Sequence, residues 1–358
     1  VHRPIDLVKE REWTRGSARA DVTAHPIRGR TMLYDDAFLA HIGHGLGAAL
    51  TLWDVAPDTQ LELLTISENA TFRATGTGGG DLVLRVHRPG YHSRAEIASE
   101  LAWIAALRAE GVVTTPRPVP MKDGGLIADL KDGGTTRHVV AFEFFPGKEP
   151  DASEALEGWF RELGTIHARL HAHARHWARP DGFSRKIWNF ESTLGSAPLW
   201  GDFRAGLGLD APGRALLQRT AGVLKRRLAP LEAPDNFGLI HADLRLANLL
   251  VEGDRLALID FDDCGFSWFL YDFAAAISFI EHEPFVPALR AAWLDGYRAV
   301  APLGPEAEGQ LDLYVMLRRI LLTAWVASHA ETPTAQAMGV PYTEGTLALA
   351  DAFLGRHG

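Results

Sequence analysis

Side chains suited to handling phosphate and a divalent cation crowd into one short stretch of the sequence. Asp243 and Asn248 stand just before the apolar run Leu249 to Val251, and Asp260, Asp262 and Asp263 just after a second run, Leu256 to Ile259. Between the runs lies the turn signal Glu252, Gly253, Asp254, so the pair reads as a β-hairpin. Such a hairpin brings Asn248 and Asp260 from opposite ends to one edge, where an amide oxygen and a carboxylate offer hard ligands to a cation. Asp243, on the loop ahead of the hairpin, is placed to work beside that cation. The layout suits phosphoryl transfer, in which a metal neutralises phosphate charge and a carboxylate orients the attacking hydroxyl.

Composition narrows the partners. The chain of 358 residues is 47% hydrophobic and 23% charged, as expected of a globular protein with one or two domains. Its formal charge of −9 argues against a nucleic-acid partner and fits a neutral or cationic substrate. Cys264 is the single cysteine, which excludes an internal disulfide and a cysteine-based zinc site. Residues His2 to Arg15 mix charges without an apolar stretch, and no run approaches the roughly 20 apolar residues that cross a bilayer. No signal peptide and no membrane span are expected, and a cytoplasmic location is.

The elements that must hold the cluster begin with strands. Residues 1 to about 30 are polar without a period and read as a partly ordered arm; a helix follows from Tyr34 to Trp53. Leu61 to Ile66 and Ala70 to Thr75 read as strands joined by the tight turn Ser67 to Asn69. The glycine run from Thr75 to Gly80 lacks a Lys-Ser/Thr ending and enters no helix, so it is read as a hairpin tip. The better phosphate loop is Ser67 to Thr71, where Ser67, Asn69, Thr71 and turn amides can cover phosphates. The strand Asp81 to Val86 carries Arg85 inside an apolar run, where a charge needs a partner; Glu96 and Glu100 are offered by a helix from about Ser93 to Arg108. A strand cation paired to a helix glutamate holds the α and β phosphates in kinases. Two more strands, Leu126 to Leu130 and Arg137 to Phe145, end at Pro146. The backbone from Glu143 to Phe145 is expected to meet an adenine edge.

Helices dominate from Ala152. His167 and His171 are one helical turn apart, but no acidic base stands between them and no further ligand is evident, so they are read as structural. Trp177 to Trp200 reads as surface loops with a short helix, Arg214 to Leu228 as a basic amphipathic helix, and Gly265 to Leu270 as an aromatic loop. Asp272 opens a helix. Further helices are expected over 285–300, 307–329 and 341–355.

The residues His241, Asp243, Arg245 and Asn248, followed by Asp260, Phe261, Asp262 and Asp263, resemble the aminoglycoside phosphotransferase/choline kinase-type family. Val83 to Pro89, Leu163 to His171 and Tyr271 to Ala274 are similar to it too, so the likeness runs from about Leu61 to Ile280. The resemblance implies an α+β, bilobal protein-kinase-like fold: a small, mostly antiparallel N-lobe with one long helix, and a larger helical C-lobe. Residues 1–58 would be an extension whose helix packs on the N-lobe, 59–145 the nucleotide-binding lobe, and 146–358 the lobe with catalytic loop and acceptor pocket. ATP, or another NTP, and Mg²⁺ are implied. Asp243 matches the catalytic Asp, Asn248 and Asp260 the metal ligands, and Arg85 the phosphate-binding lysine with Glu100 or Glu96 as partner. His241 and Asp272 would support the catalytic loop.

Three departures stand out. Arg85 replaces a Lys but keeps its charge. Ala242 stands where Gly is frequent. Asp262 takes the place of a glycine after Asp-Phe, which removes a mobile switch; it or Asp263 would add a metal or cationic-substrate contact. Arg245 is placed to stabilise the transferred phosphate. The acceptor is expected to be a small molecule with a hydroxyl group, with a stress-response-type protein Ser/Thr kinase and a nucleotide-binding pseudokinase as competing readings. Trp188, Asp262, Asp263, Glu281, Tyr297, Arg318, Arg319 and Trp325 are the candidates for its pocket. The sequence leaves oligomeric state open.

Overall fold

The computed structural model describes residues 36–66, 69–76, 80–132, 134–150, 156–330 and 332–358. The expected N-terminal arm, Ser67 and Thr77 to Gly79 of the glycine run lie outside these residues. The order begins with α1 (Asp36–Ala49), β1 (Gln60–Ile66), β2 (Ala70–Thr75), β3 (Leu82–Val86), α2 (Arg94–Ala109), β4 (Ala128–Asp132) and β5 (Thr135–Glu143). It continues with α3 (Leu156–His176), α4 (Phe190–Thr193), α5 (Ala211–Leu228), β6 (Phe237–Ile240), β7 (Leu249–Glu252), β8 (Arg255–Leu258) and β9 (Gly265–Trp268). Helices α6 (Tyr271–Ala276), α7 (Val286–Arg298), α8 (Pro305–Gly309), α9 (Leu311–Ser328) and α10 (Pro333–His357) close it. The fold is α+β, with an antiparallel sheet first and helices after.

The sheet runs β1-β2-β3-β5-β4, all neighbours antiparallel. Successive strand residues point to opposite faces. Ala70, Phe72 and Ala74 of β2 and Leu82, Leu84 and Val86 of β3 therefore share one face, buried with Ile42, Leu46, Leu50 and Trp53 of α1 and its extension. Arg85 falls on the other face, where Val140 packs with Ile97 and Leu101 of α2. Thr71 is directly across from Arg85 and shares that face. Helix α2 starts in a capping box: the Ser93 hydroxyl accepts from Glu96 N–H, and the Glu96 carboxylate accepts from Ser93 N–H.

The helical half is one large core. Within it α3 and α7 cross backbone to backbone at two glycines. A Cβ on Gly164 would come within 2.0 Å of the Trp293 carbonyl oxygen, and one on Gly296 within 1.8 Å of that of Arg161. Among the described residues no helix is long and apolar enough to cross a membrane.

Several expectations are corrected. Gly265–Trp268 is a strand, not a loop, paired antiparallel with Phe237–Ile240; four residues give too short a period to recognise. The segment 177–200 has the expected irregular path and short helix, α4, but it also sends Arg185, Trp188 and Trp200 into the interior. The helix expected over 307–329 is two, α8 and α9. The last helix begins earlier, at Pro333, and is interrupted at Gly339, whose φ is 50°.

Candidate active site

The loop between β6 and β7 is held in an unusual shape. Ala242 has a φ of 67°, a left-handed conformation that costs a non-glycine residue about 1–2 kcal/mol. Its neighbours supply the compensation. The Asp272 carboxylate, at the start of α6, accepts from Ala242 N–H at 2.8 Å and from His241 N–H at 3.4 Å. Arg318 of α9 donates to the Ala242 carbonyl at 2.9 Å. The substitution of Ala for the commoner Gly is thus tolerated because the peptide is clamped on both sides. The His241 ring, for its part, packs against Phe261 at 4.5 Å between centroids and makes no hydrogen bond of good geometry. Its backbone N–H joins that of Ala242 in the hold of Asp272.

Asp272 is fixed in turn by α3. Its Oδ2 lies 3.0 Å from His171 Nε2, and His171 Nδ1 lies 3.0 Å from the Tyr297 hydroxyl. Trp293 Nε1 donates to His167 Nδ1 at 2.9 Å. These partners account for both histidines as structural groups. Burial works against charge on Asp272, but His167, the His171 hydrogen bond and His241 outweigh it and hold the carboxyl at about 2. Burial pushes the His167 imidazole down to about 3 despite Asp272.

A pH dependence follows from these two groups. A carboxyl at about 2 in the fold and at its ordinary 3.8 when unfolded stabilises the protein fully above that range. That contribution, on the order of 2 kcal/mol, disappears as pH falls from about 4 to 2. His167 binds its proton near 6.5 when unfolded but only near 3 when folded, so stability also falls as pH drops through that window. Urea unfolding should show both losses, and Asp272→Asn should flatten the lower one. An unchanged acid limb in that variant would remove Asp272 from the account.

Asp243 emerges from the clamped loop with its side chain 18% exposed. Arg318 Nη2 donates to Asp243 Oδ1 at 2.5 Å. Asn248 Nδ2 donates to the Asp243 carbonyl at 2.8 Å and to Oδ2 at 3.3 Å, and Arg245 Nε lies 3.6 Å from Oδ2. The hairpin β7–β8 pairs Leu249 with Leu258, and Ile259 N–H donates to the Asn248 carbonyl at 3.0 Å. Asn248 and Asp260 therefore leave the same end of the hairpin. Asp260, with a φ of 63°, presents a carboxylate that is 47% exposed. Its pKa is pushed up to about 7 by the walls around it and by Asp262 and Asp243, against the pull of Arg85. With half the side chain open to solvent, the crowding of carboxylates is the stronger part of that cause.

Arg85 settles which glutamate it meets. Its Nη2 donates to both oxygens of Glu100, at 2.7 and 2.6 Å, whereas Glu96 caps the helix. Arg85 Nη1 faces Asp260 and Asp262, each at 3.8 Å. Burial opposes its charge, but Glu100, Asp262 and Asp260 raise its pKa above the usual arginine range.

Other candidates are placed differently from expectation. Asn69 Nδ2 donates to Asp262 Oδ2 at 2.8 Å, so Asn69 ties its turn to the loop after β8. Asp262 is buried, with His92 Nε2 at 3.4 Å and His87 Nδ1 at 3.5 Å. Burial would raise its pKa, yet Arg85 and the His92 contact hold it well below the usual carboxylate range. The Glu143 and Phe144 N–H groups donate to the Arg117 and Asp81 carbonyls, the Phe145 ring lies 4.8 Å from the Arg255 guanidinium, and all three residues line one cavity. Trp188 is core, its indole donating to the Asp263 carbonyl at 2.9 Å. Glu281 and Arg319 form a buried ion pair at 2.7 Å, and Tyr297 serves His171. Asp263 accepts from the Tyr91 hydroxyl at 2.7 Å, and Trp200 Nε1 donates to the same hydroxyl at 3.0 Å.

Sequence reasoning missed Arg185, which donates to the Cys264, Asp262 and Glu96 backbone carbonyls and so ties the strand after Asp260 to α2. It lies in an irregular segment with no period to mark it. A cavity of about 530 Å³ lined by Trp53, Asp81, Arg108, Arg117, Glu143 and Arg255 contains none of the clustered residues.

Comparison with known proteins agrees with this arrangement. The family model described as "Phosphotransferase enzyme family" matches residues 62–306. A solved structure of a microcompartment-associated aminopropanol kinase is 43% identical, with a TM-score of 0.82, and covers 90% of this chain and 99% of its own. Amicoumacin kinase of Bacillus subtilis is 25% identical over 71% of this chain and 73% of its own length. A homoserine kinase of Gluconobacter oxydans is 29% identical over 68% and 74%.

Proposed function

The chain belongs to the phosphotransferase enzyme family, and from that premise we propose that it moves the γ-phosphate of ATP to the hydroxyl of a short amino alcohol, using Mg²⁺. The observation that carries the acceptor class is the 43% identity, over nearly the full length of both chains, to an aminopropanol kinase. In this reading residues 59–145 bind the nucleotide, 146–358 carry the catalytic loop and acceptor pocket, and 1–58 form an extension.

The donor set fits a divalent cation. Burial, with Asp262 and Asp243 beside it, pushes the Asp260 pKa up to about 7, and a cation would relieve that crowding of negative charge. Asn248 turns its Nδ2 to Asp243, which leaves its amide oxygen as a ligand. Among the described residues no three His, Cys, Asp or Glu side chains form a ready-made cage. This suits Mg²⁺, which is commonly held by one or two protein ligands together with substrate phosphates. When bound, the cation would neutralise triphosphate charge.

The chain's own residues do the rest. Arg85, held by Glu100, faces the α and β phosphates with Thr71 beside it. Asp243 accepts a hydrogen bond from the acceptor hydroxyl and aims it at phosphorus, so that catalysis is mainly positioning and charge stabilisation. Arg245, next to Asp243, offers a cation to the transferred phosphate. Asp263, with Tyr91 and Trp200, supplies a carboxylate and aromatic surface suited to an ammonium group.

The test is ADP release over a panel of amino alcohols, hydroxy amino acids, sugars and cell-lysate protein, with labelled γ-phosphate followed to product. Amino alcohols should be phosphorylated fastest, and alcohols of equal length without the amine much more slowly. Label found on protein instead, or no preference for the amine, would overturn the reading.

A further inference from the structure

The side chain that fixes Asp243 comes from far along the chain, and its geometry defines a role. We infer that Arg318 is a positioning residue: it holds Asp243 through Oδ1 and thereby turns Oδ2 toward the acceptor hydroxyl. This rests on the reading of Asp243 as the group that orients the acceptor.

Arg318 projects from α9 and is 2% exposed. Its guanidinium reaches four partners. Nη2 donates to Asp243 Oδ1 at 2.5 Å, and Nη1 to the Ala242 carbonyl at 2.9 Å and the Tyr271 hydroxyl at 3.2 Å. Nε donates to Ser278 Oγ at 3.1 Å. Ser278 is itself held, its hydroxyl donating to the Ala275 carbonyl at 2.7 Å. The Trp200 and Tyr271 rings lie 5.5 and 5.6 Å from the guanidinium carbon and limit its movement.

A planar fork with partners on every edge has one orientation, so the carboxylate it grips has one as well. The grip is uneven. Oδ1 is taken at 2.5 Å, whereas Oδ2 has Asn248 Nδ2 at 3.3 Å and Arg245 Nε at 3.6 Å. Oδ2 is thus the oxygen with acceptor capacity to spare. An ion-paired carboxylate is a weak proton acceptor but a well-aimed hydrogen-bond acceptor. That suffices for phosphoryl transfer through a loose transition state, where little proton transfer is needed early. Arg318 and Asp272 also hold opposite sides of Ala242, its carbonyl and its N–H, so the loop and the carboxylate are set by one structure.

The test is a double-mutant cycle on the full chain with Asp243→Asn, Arg318→Lys and the pair. Lysine keeps the charge but cannot fill the fork. Arg318→Lys should lower kcat for acceptor phosphorylation by roughly 10–100-fold, as misplacement of a reacting group does, with acceptor KM and nucleotide affinity little changed. The share of ATP hydrolysed by water instead of transferred should rise. In the Asp243→Asn background the same substitution should have almost no further effect. Additive losses, or a raised acceptor KM with kcat unchanged, would overturn the proposal and make Arg318 a scaffold or a direct substrate contact. Should Arg318→Lys fail to fold, Ser278→Ala, which removes only the Nε partner, gives the same cycle with a smaller loss. The cycle is also run with water as acceptor. A wild-type protein that phosphorylates no small molecule defeats the functional reading, while additivity in either assay defeats this one.

Discussion

Replacing Asp243 by asparagine is expected to lower turnover by roughly 10²–10⁴-fold, the loss that follows when the group that aims the reacting hydroxyl is removed. Nucleotide affinity stays close to that of the wild type. The contrast comes from where the side chain sits. Asp243 leaves the loop at a clamped residue, beside Asn248 and in the grip of Arg318, and it has no contact with Arg85 or Glu100 that would involve it in phosphate binding. Asparagine preserves the shape and keeps one acceptor oxygen for Arg318, so folding should survive with a lowered melting temperature, and turnover is compared well below it. Measured steady-state turnover near that of the wild type would remove Asp243 from the reaction.

The second large effect is on stability. Glu100→Ala leaves the Arg85 guanidinium buried without its bidentate partner, and breaking such a pair from one side costs about 3–5 kcal/mol. Glu100 is fully buried and Arg85 nearly so, which leaves little water to compensate. The remaining carboxylates, Asp260 and Asp262, stand 3.8 Å away and would draw the guanidinium toward themselves. Nucleotide affinity should therefore fall together with the urea midpoint. Glu100→Gln, which keeps one acceptor oxygen, should lose less of both. A cost below about 1 kcal/mol for the alanine variant would mean that the pair behaves like an exposed one.

The sequence made some of this legible for physical reasons. A charge in the middle of an apolar strand predicts a partner on the helix that covers it, and alternation along β3 places Arg85 on that face. Asn248 and Asp260 converge because a hairpin of two short runs permits little else. Partner choice across long separations was another matter. Asn69 and Asp262 are 193 residues apart, and Arg318 and Asp243 are 75 apart. Nothing local marks one arginine of α9 for a catalytic carboxylate and the next, Arg319, for a buried glutamate. For the same reason Glu281, Tyr297 and Trp188 read as pocket residues when they are interior partners. Arg245 and Asn248 lie close to Asp243 because five residues of tight loop fix their distance from it.

The crossing of α3 and α7 has one more consequence. Gly164 and Gly296 let the two backbones touch, so the helices meet at a hard stop instead of across compressible side chains. His167 and His171 lie one and two turns beyond Gly164, and their partners Trp293 and Tyr297 flank Gly296. The stop therefore acts as a gauge block. It sets the axial alignment of two helices, and through His171 and Asp272 that alignment sets the height of the loop that carries Asp243. A methyl group added at either glycine would be felt as a misalignment of Asp243, several side chains away and without touching it.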